Sequence, residues 1–207
     1  DTNYHHLEIW SSLTSRNPDH MDELWYRLYC AISRCNRALV SLDRNGDAVM
    51  GADLANQRRA EVRFLRAHFY YKLITLWYRV PWIDEVVYAN NTVEQTSNTQ
   101  FTHEQLMQKL VDEFKFAYDI LPEVQEDGGR VNRIAAAAYI AKCYLDMAWG
   151  DGYEATTGVG HINQQYMQEV VNYTGVVANS QYGYLEDYGD IFLPEYKNSK
   201  EAVFEVQ

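Results

Sequence analysis

The stretch AEVRFLRAHFYYKLITLWYRVPW, residues 60–82, constrains the fold more than any other part of the chain. Its apolar side chains recur at helical spacing and cover most of the circumference, which predicts a largely enclosed helix over residues 53–78. Arg63 and Arg66 lie among those apolar side chains. Because an unpaired buried charge costs several kcal/mol, both arginines need a carboxylate partner. We expect Glu113, on the border of a later apolar face, to be that partner, with a structural role for all three residues.

The rest of the chain has the pattern of further helices separated by polar loops. Apolar residues at helical spacing predict helices at 21–42, 53–78, 103–121, 133–149 and 164–180. Thr102 and Asn132 are placed to cap the third and fourth helices, and Pro122 ends the third. The segment LDRNGDAVMG, residues 42–51, is interpreted as a turn, and EAVFEVQ, residues 201–207, alternates like a β-strand. The predicted fold is therefore mostly all-α, with a short strand at the C-terminal end.

Two of the predicted helix pairs resemble each other. Ala67 and Tyr70 have the same spacing as Ala141 and Tyr144, which lie 74 residues further along the chain. This offset is about twice the ~34-residue period of a tetratricopeptide repeat. The spacing of alanine and proline in AYDILP is also typical of the end of such a repeat. We therefore expect tetratricopeptide-like helix pairs with long loops, in a single domain over residues 1–207.

The charge balance limits the partners of the protein. The chain has 18 Lys and Arg against 29 Asp and Glu, a net charge of −11, and its basic residues are scattered. Nucleic acids and anionic lipid surfaces are bound by clustered Lys and Arg, so we expect no nucleic acid and no direct membrane binding. The longest apolar run, IAAAAYIA, is too short to span a bilayer, and the N-terminus does not resemble a signal peptide.

No motif predicts a metal, a cofactor or a catalytic centre. Residues 43–47 imitate a calcium loop, but Leu54 stands where the bidentate Glu belongs. In HEQLM, Met107 occupies the position of the second His of a zinc helix. Asp187 and Asp190 form an acidic pair of the kind that serves glycoside hydrolysis, although solvated carboxylates are the simpler interpretation on an acidic chain. Three cysteines without metal-ligand spacing are expected to be buried thiols: Cys30, Cys35 and Cys143.

Six segments of the chain resemble, in order, those of one protein family. They are LWYRLYCAISRCNRAL, AEVRFLRAHFYYKL followed by VPW, LVDEFKFAYDILP, GRVNRIAAAAYIAKCYLDMA, SQYGYLEDYGDIF and NSKEAVFEVQ, and they span residues 24–207. The chain is similar to the SusD/RagB family of nutrient-binding outer-membrane lipoproteins. The resemblance implies tetratricopeptide-like helix pairs that support a loop-rich ligand-binding half. It covers the N-terminal portion of a family member, so we expect the domain to be incomplete at both ends.

The resemblance also implies a function without enzymatic activity. Similar proteins are anchored at the cell surface of the outer membrane by a lipid on an N-terminal cysteine, which this chain lacks. They cap a TonB-dependent, SusC-like transporter and deliver oligosaccharides or other nutrients to it. Two alternatives stay open: a helical-repeat interaction scaffold without its own ligand site, and an unrecognised hydrolase. Tyr78 departs from the family, whose members usually turn on glycine at this position.

Aromatic residues outside the helix-packing pattern are the candidates for sugar contact, because sugar rings present apolar C–H faces that stack on aromatic rings. The predicted ligand-binding residues are Tyr4, His5, Trp10, Asn17, Trp82 and Tyr88. The aromatic ones lie before the first helix and after the second, so an antiparallel helix pair brings them to one end. His5 and Asn17 are placed to supply hydrogen bonds beside Trp10. For Trp82, the alternative is that it only fills the end of the helical hairpin.

Overall fold

The computed structural model describes residues 19–149 and 162–205. Its α-helices are α1 (Asp19–Met50), α2 (Ala52–Trp77), α3 (Glu85–Ala89), α4 (His103–Ile120), α5 (Arg133–Trp149) and α6 (Gln164–Ala178). The long helices pack in the order α1, α2, α4, α5, α6, and the short α3 packs on α1. Neighbours run antiparallel, as the ring contact between Trp25 near the start of α1 and Trp77 at the end of α2 illustrates. The predicted all-α fold of tetratricopeptide-like helix pairs is confirmed.

The first helix is longer than predicted, because the segment expected to form a turn at 42–51 continues α1 as far as Met50. Gly46 lies within the helix and is buried, and a Cβ built on it would lie 3.2 Å from the Cβ of Ala55 in α2. This glycine therefore allows close approach of two helices. The chain reverses at Gly51 instead, whose φ of 84° lies in the region that favours glycine.

The predicted helix starts are confirmed at two positions. The hydroxyl of Thr102 accepts a hydrogen bond from the backbone of Gln105 at 3.2 Å, and the two residues form a capping box at the start of α4. The side chain of Asn132 accepts from the backbone of Ala135 at 2.9 Å and so caps α5. Local side-chain chemistry thus determines where these helices begin.

The core lies between α1, α2, α4 and α5, and α6 covers its outer side without a fully buried residue of its own. Phe64, Phe114 and Tyr139 form its aromatic centre, with ring centroids 4.9–5.5 Å apart. Cys35 and Cys143 are buried and Cys30 is partly buried, all with free thiols. Within residues 19–149 and 162–205, no helix has the length and apolar character needed to cross a bilayer.

The segment that follows α6, residues 179–205, contains short 3-10 turns at Tyr188–Phe192 and Pro194–Tyr196. The strand predicted at 201–207 is wrong over residues 201–205, which form turns and bends; residues 206–207 lie outside the described part. The alternation there has another cause, because Val203 and Phe204 pack against the helical core, with the Phe204 ring 5.5 Å from that of Phe64.

Candidate functional site

A buried cluster of charged and polar side chains, the arginine cluster, lies between α1, α2, α3 and α4. Its members are Asn36, Arg63, Arg66, Glu85 and Glu113. Arg66 is 1% exposed and donates from Nη2 to Oε2 of Glu113 at 2.8 Å, and from Nη1 to Oδ1 of Asn36 at 2.8 Å and to Glu85. Arg63 donates to Oε1 of Glu113 at 2.8 Å. The pairing predicted between both arginines and Glu113 is present.

The arginine cluster is close to electrically neutral, since two guanidinium groups face two carboxylates. Burial by itself would lower the pKa of Arg66, but Glu113 and Glu85 outweigh burial and raise it. Burial would likewise raise the pKa of Glu85, but Arg66 lowers it below its ordinary value. Arg66 and Glu85 are therefore both charged at neutral pH, and each depends on its partners to tolerate its burial.

The arginine cluster and its neighbours fix the segment that follows α2. Glu85 holds the start of α3 against Arg66. The Asn36 side-chain amide donates to the backbone carbonyl of Ile83 at 2.8 Å. The Tyr29 hydroxyl donates to the backbone carbonyl of Pro81 at 2.7 Å. The hydroxyl of Tyr70 accepts from the backbone N–H of Ile83 at 2.7 Å. Residues 81–85 are thus held against α1 and α2 by buried and half-buried polar groups.

This segment and α1 enclose a groove of about 550 Å³, the α1 groove. Its lining consists of Tyr29, Ile32, Ser33, Val40 and Arg44 of α1 and of Ile83, Tyr88, Ala89, Asn91 and Val93. The volume is that of an ordinary small-molecule site. Asn91 has a φ of 52°, a left-handed conformation that asparagine adopts more readily than most residues, and it turns the chain at the end of α3.

The lining of the α1 groove combines an aromatic surface with hydrogen-bonding groups. Tyr88 is partly exposed and supplies an aromatic surface, while Ser33, Arg44 and Asn91 supply hydrogen-bond donors and acceptors. None of its described lining residues is Asp, Glu, His or Cys, so the groove contains no pair for general acid–base or nucleophilic chemistry. The described residues also contain no cluster of three or more side chains suited to a metal ion.

The structure places the predicted ligand-binding residues in three settings. Tyr4, His5, Trp10 and Asn17 lie outside the described residues. Tyr88 lines the α1 groove. Trp82 is 5% exposed, stacks on Tyr70 at 4.2 Å, and has the Lys109 amino group 5.3 Å from its ring. Core packing accounts for Trp82, so a ligand role for it stays a prediction without structural support.

Sequence reasoning missed two members of the arginine cluster. Asn36 interrupts the apolar face of α1 between Ile32 and Leu39, and a polar residue in such a face is a signal for a buried hydrogen bond. Glu85 lies in a segment without helical periodicity, where no pattern indicates which carboxylate turns inward. Of the acidic pair considered for hydrolysis, Asp187 has a structural explanation, because its side chain accepts the backbone N–H of Gly189 at 2.7 Å.

Comparison with known proteins identifies relatives of this chain. A SusD-like family model, described as starch-binding and associating with the outer membrane, matches residues 2–145. A SusD-like protein from Bacteroides ovatus is 24% identical over 190 residues, which cover 91% of this chain and 33% of that protein. The chain thus spans about one third of the length of this curated relative.

Solved structures share the fold. A SusD superfamily protein from Parabacteroides distasonis is 27% identical with a TM-score of 0.77, over 100% of this chain and 41% of that one. Surface glycan-binding protein A from Bacteroides thetaiotaomicron, in complex with laminarihexaose, is 25% identical with a TM-score of 0.65, over 88% of this chain and 34% of that one. The helix pairs described above are therefore those of a known architecture.

Proposed function

Because the chain belongs to the SusD-like family, whose model covers residues 2–145, we propose that it contributes to a non-enzymatic glycan-binding protein of the cell surface. The observation that carries the proposal is this family match. It is supported by the relative of the same fold that binds laminarihexaose. The described lining of the α1 groove combines an aromatic ring with hydrogen-bonding groups and holds no carboxylate or imidazole beside Ser33, which is consistent with binding and gives no support to the hydrolase alternative.

On this chain we place a saccharide contact in the α1 groove. The Tyr88 ring stacks against the apolar face of a sugar, and Asn91, Ser33 and Arg44 exchange hydrogen bonds with its hydroxyls. The fastened segment 81–85 supports this wall, so little conformational entropy is lost on binding. Four further contacts belong to the proposal on sequence grounds: Tyr4, His5, Trp10 and Asn17.

The wider role that we propose is delivery of the bound oligosaccharide to a TonB-dependent, SusC-like transporter. The protein is then located on the outer membrane, facing the outside and held by a lipid anchor. Purification of the native protein from outer membranes in mild detergent tests this role, with recovery of the transporter as the expected result. Recovery as a free monomer would contradict it. A scaffold without its own ligand site predicts the transporter but no glycan binding.

Isothermal titration with maltoheptaose and laminarihexaose tests glycan binding. We expect Tyr88→Ala to weaken the affinity about tenfold, or about 1.4 kcal/mol, because it removes the stacking surface. The matched control is Tyr184→Ala, which removes an exposed tyrosine outside the groove and leaves the affinity unchanged. Both variants keep the melting temperature of the parent. Unchanged affinity of Tyr88→Ala excludes the α1 groove, and binding of neither oligosaccharide contradicts the proposed function.

A further inference from the structure

A second groove, the bundle-end groove, lies where α2 ends, α4 begins and α5 ends. It has a volume of about 520 Å³ and shares no lining residue with the α1 groove. One wall is the face of α2 that carries Tyr71, Thr75 and, just past its end, Tyr78. The other is the face of α5 that carries Asp146 and Trp149. These spacings of three, four and seven residues place each set on one side of its helix.

His103, the first residue of α4, joins the two walls. Its Nε2 lies 2.6 Å from Oδ1 of Asp146, and its Nδ1 lies 3.0 Å from the carbonyl oxygen of Tyr78. Its ring stacks on that of Tyr78, with centroids 4.3 Å apart and an angle of 5° between the planes. Contacts to both ring nitrogens and to the ring face fix the imidazole, which in turn fixes the direction of the Asp146 carboxylate.

The residue on which the His103 ring stacks, Tyr78, has a strained backbone. Tyr78 has φ 65° and ψ −55°, close to the strained form of the γ-turn, in which the Arg79 N–H donates to the Trp77 carbonyl at 2.6 Å. This positive φ is unfavourable for a bulky side chain. Glycine would adopt it without strain, but glycine has no ring to hold His103 flat. Strained backbone persists where surrounding contacts enforce it, and such positions cluster at binding sites. The tyrosine side chain therefore preserves the geometry of His103 and Asp146 at a cost in local strain.

Beside the fixed carboxylate lies an open apolar surface. Trp149 is 44% exposed, and Leu145, four residues earlier on the same face of α5, is also exposed. In the described part of the chain the indole makes no ring contact with another aromatic residue. Lys142 adds an amino group to the same face. An aromatic platform, an oriented acceptor and a nearby donor thus occur within one groove.

We propose that the bundle-end groove is a second saccharide subsite. The Trp149 indole stacks on the apolar face of a neutral hexose, Asp146 accepts hydrogen bonds from its hydroxyls, and Lys142 donates one. A purely apolar ligand would take water from Asp146 and Lys142 without offering them hydrogen bonds, and a strongly anionic one would face the carboxylate. A neutral polyhydroxylated ring offers an apolar face to Trp149 and hydroxyl groups to Asp146 and Lys142. The inference rests on the proposed glycan-binding function and adds a site to it.

The test observes the site directly. The chain has five tryptophans, so the full chain labelled with nitrogen-15 gives five indole N–H signals, and Trp149→Phe assigns that of Trp149. Titration with maltoheptaose or laminarihexaose is expected to shift the Trp149 signal saturably, in the parent and in Tyr88→Ala. Trp149→Ala and Asp146→Asn are expected to weaken binding at this subsite about tenfold and several-fold. Their melting temperatures serve as the check on folding.

The outcomes separate this inference from the proposed function. A stationary Trp149 signal during a titration in which the protein binds the oligosaccharide overturns the subsite and leaves the proposed function intact. Loss of the Trp149 response in Tyr88→Ala also overturns it, because the two grooves would then not be independent. Binding of neither oligosaccharide, with all indole signals unmoved, overturns both. Tyr184→Ala is again the matched control, with no expected effect on the Trp149 response.

Discussion

The helical bundle, residues 19–149, and the segment at 179–205 are both rich in aromatic residues but use them differently. In the bundle, Phe64, Phe114 and Tyr70 are fully buried. In the segment, Tyr184, Tyr188 and Phe192 are 86%, 74% and 70% exposed. Tyr188 and Phe192 lie side by side, with ring centroids 5.4 Å apart, and contiguous exposed aromatic surface is often covered by another element or molecule. The contrast shows that aromatic content does not by itself produce burial, which also requires a facing element.

The segment at 179–205 is attached to the helical bundle by few contacts, which is a further difference between the two regions. It touches the bundle through a hydrogen bond of 2.7 Å from Asn132 to the Tyr182 hydroxyl and through the Phe204 ring. The bundle, by comparison, is held by charged groups that reach across several helices. The bundle thus contains its own packing partners, whereas most side chains of the segment face outward.

The largest expected effect comes from the arginine cluster, on which the self-sufficiency of the bundle depends. Arg66→Met leaves Glu85 without its buried partner and removes one of the two arginines from Glu113. We expect a loss of about 3–5 kcal/mol in the free energy of unfolding, measured by urea denaturation. Arg63→Met is the matched control with a smaller loss, because Arg63 is less buried. A loss below about 1 kcal/mol for Arg66→Met would contradict a structural role.

A second pair of variants tests the boundary between the two regions. Phe204→Ala removes a ring that packs on Phe64 and His68, and we expect it to lower the free energy of unfolding by about 2 kcal/mol. Phe192→Ala removes an exposed ring of the same segment and should change it by less than about 0.5 kcal/mol. Equal losses for the two variants would show that the segment packs as tightly as the bundle.

The smallest effect is a pH dependence at this boundary. Burial, with the charges of Lys72 and Lys142, lowers the pKa of His68 to about 4, and its Nδ1 lies 2.6 Å from the Tyr139 hydroxyl. The unfolded histidine binds a proton below about pH 6.5, whereas the folded one stays neutral until about pH 4. Stability is therefore present above pH 6.5 and is lost as the pH falls. We expect about 1 kcal/mol between pH 7 and 5, after allowance for partial solvent exposure.

The control for this effect is His68→Gln, which keeps an acceptor for the Tyr139 hydroxyl but does not titrate. Urea denaturation at pH 7 and pH 5 should give a smaller difference for the variant than for the parent. Glu85, whose pKa is lowered, titrates below this range. An identical difference for parent and variant would assign the pH dependence to another group.

The sequence contains enough information for the helices and for part of the arginine cluster. Apolar spacing predicts the helices, and two arginines in an enclosed helix require a carboxylate, which is Glu113. The end of α1 could not be predicted, because Gly46 has the same local chemistry in a turn and at a helix contact. The distinction depends on Ala55 of another helix. The strand expected at the C-terminal end fails for the same reason, since alternation does not specify the element that faces it.

The grooves were less predictable than the fold. Tyr88 could be selected as an aromatic outside the helix pattern, yet the same criterion selected Trp82, which stacks on Tyr70 in the core. Trp149 and Asp146 lie on a regular helix, so helical spacing assigns them no special role. Only their closeness to His103 and Tyr78, both distant in the chain, distinguishes them. A site built from the ends of several helices has no local signature.

The arginine cluster also constrains the order in which the protein folds during synthesis. Arg66 binds residues 30 positions earlier and 19 and 47 positions later in the chain. When α2 leaves the ribosome, α1 is already available, but Glu113 has not yet been made. Glu85 emerges soon after α2, but the guanidinium of Arg66 has its second buried carboxylate only when α4 emerges, so the arginine cluster is complete only then. We therefore expect the hairpin of α1 and α2 to gain its full stability only after α4 has been synthesised.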